Sequence, residues 1–230
     1  MQQVYNTLTS VDMLFSRPFL RGGKGRPLNT ASVLFRTACR SVSTEQSKKS
    51  QHILITDLVT QVTTKEHAAN VLKVLYAHPE VHWACDTEVA DIDLSSVGPV
   101  GNGKVTCVSI YGGPTIDFGD GPGSVLWIEN IGDSDKLLLE FKNWFEDAKY
   151  KKTWHNYGFD RHVMYNETID CKGFGGDTMH MARLWDTSRD KSTGRGTGYS
   201  LESLSADLID DERFAKVSMK VLILPSHVYY

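Results

Sequence analysis

Asp86 and Glu88 stand two residues apart, just after a short apolar run at residues 81–84. On a strand, residues spaced by two share one face. Two carboxylates on one face repel each other unless a cation or a proton lies between them. Hard oxygen ligands of this kind hold Mg2+ or Mn2+. A pair of such ions can hydrolyse a phosphodiester: one lowers the pKa of a bound water and aims it at phosphorus, and the other stabilises the leaving oxygen. Asp-x-Glu alone has low specificity, since many exposed strands carry it.

Two later segments add to it. His155-Asn156-Tyr157-Gly158-Phe159-Asp160 brings an amide, an aromatic ring and a third acid into one turn. Asp160 is placed to face the ions. Asn156 has three readings: a hydrogen bond to a nucleotide, a role in positioning the loop, or a helix N-cap. His155 either lines the site or lies in solvent. Tyr157 and Phe159 offer faces on which bases stack, or pack into the core. Further on, Gly175-Gly176-Asp177-Thr178-Met179 opens another helix.

These residues need a scaffold. Residues 52–57 read as an edge strand. A helix starts at Thr63 or Thr64, has Glu66 in its first turn, carries Ala68, Ala69, Val71, Leu72, Val74 and Leu75, and stops at Pro79. Strands follow at 81–84, 104–111 and 124–128, forming a meander with a Gly/Ser/Pro-containing loop at 95–103. Asp133 or Ser134 caps a helix whose buried face is Leu137, Leu138, Phe141, Trp144, Phe145 and Ala148. A strand at 152–154, helices from 160, over 178–185 and over 200–208, and a glycine-rich loop at 191–198 complete the chain. Three antiparallel strands, a helix, a strand and more helices are the order of a ribonuclease-H-like α/β fold, a mixed sheet flanked by helices.

The 230 residues carry a formal net charge of −3, with 40% hydrophobic and 23% charged residues. That is a globular composition, and it gives no bulk electrostatic case for nucleic-acid binding. The four cysteines, at 39, 85, 107 and 171, are widely spread and read as reduced thiols rather than a zinc site. No apolar run reaches the roughly 18 residues of a membrane span. Residues 1–50 differ: Arg17, Arg21, Lys24, Arg26, Arg36, Arg40, Lys48 and Lys49 face only Asp12 and Glu45. Arg-rich, Ser-rich and acid-poor is the composition of a transit peptide for a mitochondrion or chloroplast; a disordered extension is the other reading.

The succession of Asp86-Thr87-Glu88, then Asn156-x-x-x-Asp160, then Asp177-Thr178-Met179 resembles the 3′–5′ proofreading exonuclease domain of family A DNA polymerases. Residues 155–164, 177–186 and 199–204 are most similar to the plant and protist organellar members. The resemblance covers about residues 81–220, within a domain placed at 51–220. It implies two-metal hydrolysis with Mg2+ or Mn2+, acting on the single-stranded 3′ end of DNA. Asp86 would bridge both ions, Glu88 would hold the ion that carries the attacking water, and Asp160 would act through a water on the second. Thr87 and Val89 would flank the terminal base, and Asn156 and Phe159 would line the groove. Asp177 matches a position that supports the fold.

The same family carries a fourth acid in a Tyr-x-x-x-Asp motif after Asp160, and no such motif follows here: Tyr165 leads to Ile169 and Tyr199 to Ser203. Residues 221–230 read as an unrelated apolar tail. The expectation is a chain truncated before that motif, with the fold incomplete at its C-terminus and the polymerase domain absent. Loss of one ligand removes transition-state stabilisation, so the alternative reading is a catalytically impaired nucleic-acid-binding fragment.

Overall fold

A computed structural model describes residues 58–189 and 198–208. The readings at 1–50, 52–57 and 221–230, and nearly all of the 191–198 loop, lie outside the described residues. Six strands form one sheet: β1 (Val59–Val62), β2 (His82–Ala90), β3 (Lys104–Tyr111), β4 (Val125–Glu129), β5 (Lys151–Trp154) and β6 (Phe174–Asp177). Their spatial order is β1-β4-β3-β2-β5-β6. β2, β3 and β4 make the expected antiparallel meander. β1 joins β4, β5 joins β2 and β6 joins β5, each in parallel. With helices following β1, β5 and β6, this is the ribonuclease-H-like α/β arrangement. In β3, every residue from Cys107 to Tyr111 is buried, which marks a central strand covered on both faces.

Helix α1 (Lys65–Ala77) begins where its sequence says it must. The Thr64 hydroxyl accepts the His67 N–H at 3.2 Å, and Ala68, Val71 and Leu75 form its buried stripe. The region from 132 to 146 differs from the single capped helix expected there. It consists of two 3-10 turns, Gly132–Ser134 and Leu137–Phe141, and one turn of α-helix, α2 (Lys142–Glu146). Lys136 adopts φ 65, ψ 10, a left-handed conformation that interrupts any continuous helix. Ser134 is not a cap; its hydroxyl donates to the Thr63 carbonyl at 3.0 Å. Leu137, Leu138, Phe141, Trp144 and Phe145 are buried as expected, but Ala148 is exposed. The apolar period was read correctly; the backbone that presents it was not.

Trp83, Trp144, Trp154, Phe141 and Phe145 are the largest apolar side chains wholly out of water. Among them lies Lys152, which is also fully buried. Its ammonium donates to the carbonyls of Trp144 at 2.7 Å, Asp147 at 2.9 Å, Phe145 at 3.1 Å and Lys172 at 3.3 Å. Three of these carbonyls lie at the end of α2, where the Trp144 and Phe145 carbonyls also accept the N–H groups of Asp147 and Lys172, so a side-chain cation adds to that helix's C-terminal cap. Burial pulls the Lys152 pKa down from 10.5 to about 8. Gly173, beside it, has φ +68, and a Cβ there would stand 2.2 Å from the Tyr150 carbonyl; only glycine fits. Cys85, Cys107 and Cys171 are free and buried. No helix among the described residues is long and apolar enough to cross a membrane.

Candidate active site

β2 runs through the Asp86-Thr87-Glu88 triplet and does not stop before it. Alternation puts Asp86 and Glu88 on one face, both half-buried, and turns Thr87 inward, where it is buried. Asp86 lies opposite Ser109 and Glu88 opposite Cys107 on β3. Directly after Glu88 the register shifts, and Val89 pairs with Val105. Such a bulge bends the strand and re-aims its side chains. The Thr106 hydroxyl donates to the Glu88 carbonyl at 3.0 Å and holds the bulge in place.

The other edge of β2 is only partly paired. β5 matches it at His82, Trp83 and Ala84 and then diverges. Into the opening comes Asp160, in the first turn of α3 (Tyr157–Asn166). The Thr87 hydroxyl donates to Asp160 Oδ1 at 2.7 Å. Asp160 is buried. Burial and the negative charge of Asp86 push its pKa well above the ordinary carboxylate range, against the opposing pull of the Thr87 bond. The field of these acids extends across the sheet: the Cys107 thiol is pushed up to about 12, first by burial and then by Glu88 and Asp86.

Asp177 explains how α3 is held at this angle. Its carboxylate accepts the N–H groups of Asn156 at 3.0 Å and Tyr157 at 2.8 Å, and of Met179 at 2.9 Å in α4 (Thr178–Trp185). One buried acid therefore caps the N-termini of two helices. Asn156 sits at the N-cap position of α3 with φ 68, yet its side chain makes no capping bond and is exposed. The side-chain cap, one of its three readings, is not realised. His155 is half-buried, with Nδ1 2.8 Å from the Thr178 hydroxyl, so it tethers the loop to α4.

Phe159 and Val89 are half-buried and pack against the core. Tyr157 is not a free stacking face. Its ring lies against Trp154 and Phe174, and its hydroxyl donates to the Cys171 carbonyl at 3.1 Å. The structure thus brings Asp86, Thr87, Glu88 and Asp160 together, with Val89 just past the bulge and Asn156 at the solvent edge. Sequence reading missed Asn166 and Glu167, at the far end of α3, whose side chains reach the β2–β3 connection. No local motif marks them.

The donor set of this site is oxygen only, which suits a hard divalent cation. Among the described residues, no three His, Cys, Asp or Glu side chains close into a ready cage. The fit lies in donor type and in like charges held close: Asp160 is buried next to Asp86.

The model of the 3′–5′ exonuclease family of DNA polymerase A matches residues 59–221. The chain is 48% identical over 147 residues to DNA polymerase I B, chloroplastic/mitochondrial, of Arabidopsis thaliana, covering 60% of this chain and 14% of that one. It is 44% identical over 196 residues to DNA polymerase I B, mitochondrial, of Oryza sativa subsp. japonica, covering 79% and 18%. It therefore spans less than a fifth of the length of these curated relatives. Among solved structures it is similar to Escherichia coli RNase D, an exoribonuclease involved in structured RNA processing, with 16% identity, TM-score 0.47, and coverage of 72% and 36%. With a family match over most of the folded residues, the chain belongs to the 3′–5′ exonuclease family of DNA polymerase A.

Proposed function

We propose that this chain is the 3′–5′ exonuclease domain of an organellar DNA polymerase I-like protein, hydrolysing the 3′-terminal phosphodiester of single-stranded DNA with two divalent ions, Mg2+ or Mn2+. The observation that carries this reading is the delivery of Asp160 to the open edge of the strand bearing Asp86 and Glu88. Asp86 and Glu88 hold the ions from one face of β2, and Asp160 contributes from α3. When bound, the ions supply a nucleophilic water at neutral pH and stabilise charge on the leaving oxygen. The chain's own residues set the geometry. The Thr87 hydroxyl fixes the Asp160 carboxylate, and the bulge after Glu88 aims its side chain. Val89 and Phe159 form the apolar wall for the terminal nucleotides, with Asn156 at its exposed rim. The relatives' names place them in chloroplasts and mitochondria, and the Arg-rich first fifty residues support the same location here.

The test is Mg2+-dependent release of mononucleotides from a single-stranded 3′ end. A chain carrying Asp86→Ala and Glu88→Ala is expected to fall to background. Wild-type rates in that double variant would sink the assignment. A second reading has its own support, because the matched residues 59–221 contain no Tyr-x-x-x-Asp. It predicts single-stranded DNA binding with hydrolysis at background in the wild-type chain.

A further inference from the structure

Helix α3 carries Asp160 at one end and a pair of unassigned polar side chains at the other. Asn166, its last residue, donates from Nδ2 to the carbonyls of Pro99 at 3.0 Å and Asn102 at 2.9 Å. Its Oδ1 accepts the Gly101 N–H at 2.8 Å. All the hydrogen-bonding capacity of a planar amide, apart from one lone pair, is spent on one short stretch of backbone. Glu167 follows, and its Oε1 accepts the Val105 N–H at 3.1 Å. Val105 is the residue paired with Val89 across the bulge. Asn166 so grips the connection between β2 and β3, which leaves β2 after Ala90, and Glu167 grips the start of β3 beside it.

That connection is already braced within itself. The Asp93 carboxylate accepts from the backbone and hydroxyl groups of Ser95 and Ser96. Asn102 donates to the carbonyls of Asp93 and Gly98. A loop with its own internal bonds does not need three more from a helix to keep its shape. The Asn166 bonds instead join two separate bodies: the helix that holds Asp160 and the strand connection that ends the Asp86–Glu88 segment. The helix is thus pinned at both ends, by Asp177 at its start and by this connection at its finish.

We infer that Asn166 is a positioning residue, which, supported by Glu167, fixes α3 against the β2–β3 connection and so holds Asp160 at the strand bearing Asp86 and Glu88. For catalysis this rests on the nuclease reading above; the positional claim does not.

The experiment compares Asn166→Leu with the wild-type chain by residue-resolved amide hydrogen exchange and by steady-state hydrolysis of a labelled single-stranded DNA with Mg2+. A role confined to the loop frees Gly101 and its neighbours only. The positioning role also frees the amide of Thr87, the residue whose hydroxyl holds Asp160 at the far end of the helix. Exchange at Gly101 and Thr87 is expected to rise at least about tenfold, a change well within what a lost local constraint produces. The rate constant kcat is expected to fall at least about tenfold while KM moves less than about threefold, as for loss of transition-state geometry. Unchanged exchange at Thr87 overturns the proposal, whatever happens at Gly101. A wild-type chain without hydrolysis overturns the nuclease reading and leaves the exchange comparison decisive. Should Asn166→Leu fail to fold, Asn166→Asp carries the same comparison, because it keeps the acceptor for Gly101 and loses both donated bonds.

Discussion

Replacing Lys152 by Met keeps the length of the side chain and removes the ammonium, so it isolates the buried cation. An ammonium has three hydrogens to donate, and a hydrogen bond involving a charged group contributes about 1.5–3 kcal/mol. Three of them give a gross loss of about 5–9 kcal/mol. Against this, the variant no longer buries a charge. The depression of the pKa from 10.5 to about 8 corresponds to roughly 3 kcal/mol at most, at about 1.4 kcal/mol per unit. The net expectation is a loss of about 2–6 kcal/mol at neutral pH, or a Tm lower by at least about 4 °C for a domain of this size. The pH dependence gives a second, sharper check. The folded chain releases the Lys152 proton near pH 8, whereas the unfolded chain keeps it to 10.5. Between these values the unfolded state binds more protons, so this residue makes wild-type stability rise with pH. Cys85, Cys107 and Cys171 act the other way, since burial raises all three thiols above 9.0 and their contribution fades as pH rises. Both chains share the thiols. The stability gap between wild type and Lys152→Met, measured by urea denaturation from pH 7 to 10.5, is therefore expected to widen with pH. A variant as stable as wild type at pH 7, or a gap that narrows, would refute the reasoning.

Two other outcomes follow from the site. Asp177→Ala removes the acceptor shared by the first turns of α3 and α4; at about 1–2 kcal/mol per lost cap, the expected cost is about 2–4 kcal/mol in chemical denaturation. Thr87→Val keeps the shape of the side chain and deletes the hydroxyl bond that opposes the upward shift of Asp160; in the metal-free chain the Asp160 pKa, followed by carboxyl NMR, is expected to climb further, and an unchanged or lower pKa would count against this role.

Asp86 and Glu88 are readable because they are neighbours in sequence and partners in structure, whereas Asp160, whose partner Thr87 is 73 residues away, is marked only by its own motif. Asp86 and Glu88 share a strand, and the Thr64 cap with Ala68, Val71 and Leu75 forces α1 from purely local signals. The bounds of β3 follow from its own β-branched run. Legibility ended where a residue's partner is remote. Nothing near Lys152 announces that its ammonium will meet carbonyls from two other segments. Asn166 looks like any residue at a helix end until a loop 65 positions away is brought to it. The broken helix at 132–146 shows a different limit: apolar spacing specifies which side chains go inside, while the left-handed Lys136 decides the path of the backbone. β1, at Val59–Val62, escaped because four residues against the edge of a sheet carry too short a pattern.

The antiparallel centre of the sheet, with parallel pairings on either side, has a kinetic consequence. β2, β3 and β4 follow one another in sequence and pair as neighbours, whereas Thr87 and Asp160 are 73 residues apart in the chain. Closing the longer loop costs more entropy and falls later in folding. The strand with Asp86 and Glu88 is therefore expected to form before α3 is seated, so that the mutual repulsion of Asp86 and Asp160 is met in the later docking step. Interactions formed after the transition state govern the rate of unfolding rather than of folding. A divalent cation held by these carboxylates, as proposed above, would consequently act as a latch, prolonging the lifetime of the native state while the speed of its formation stays the same.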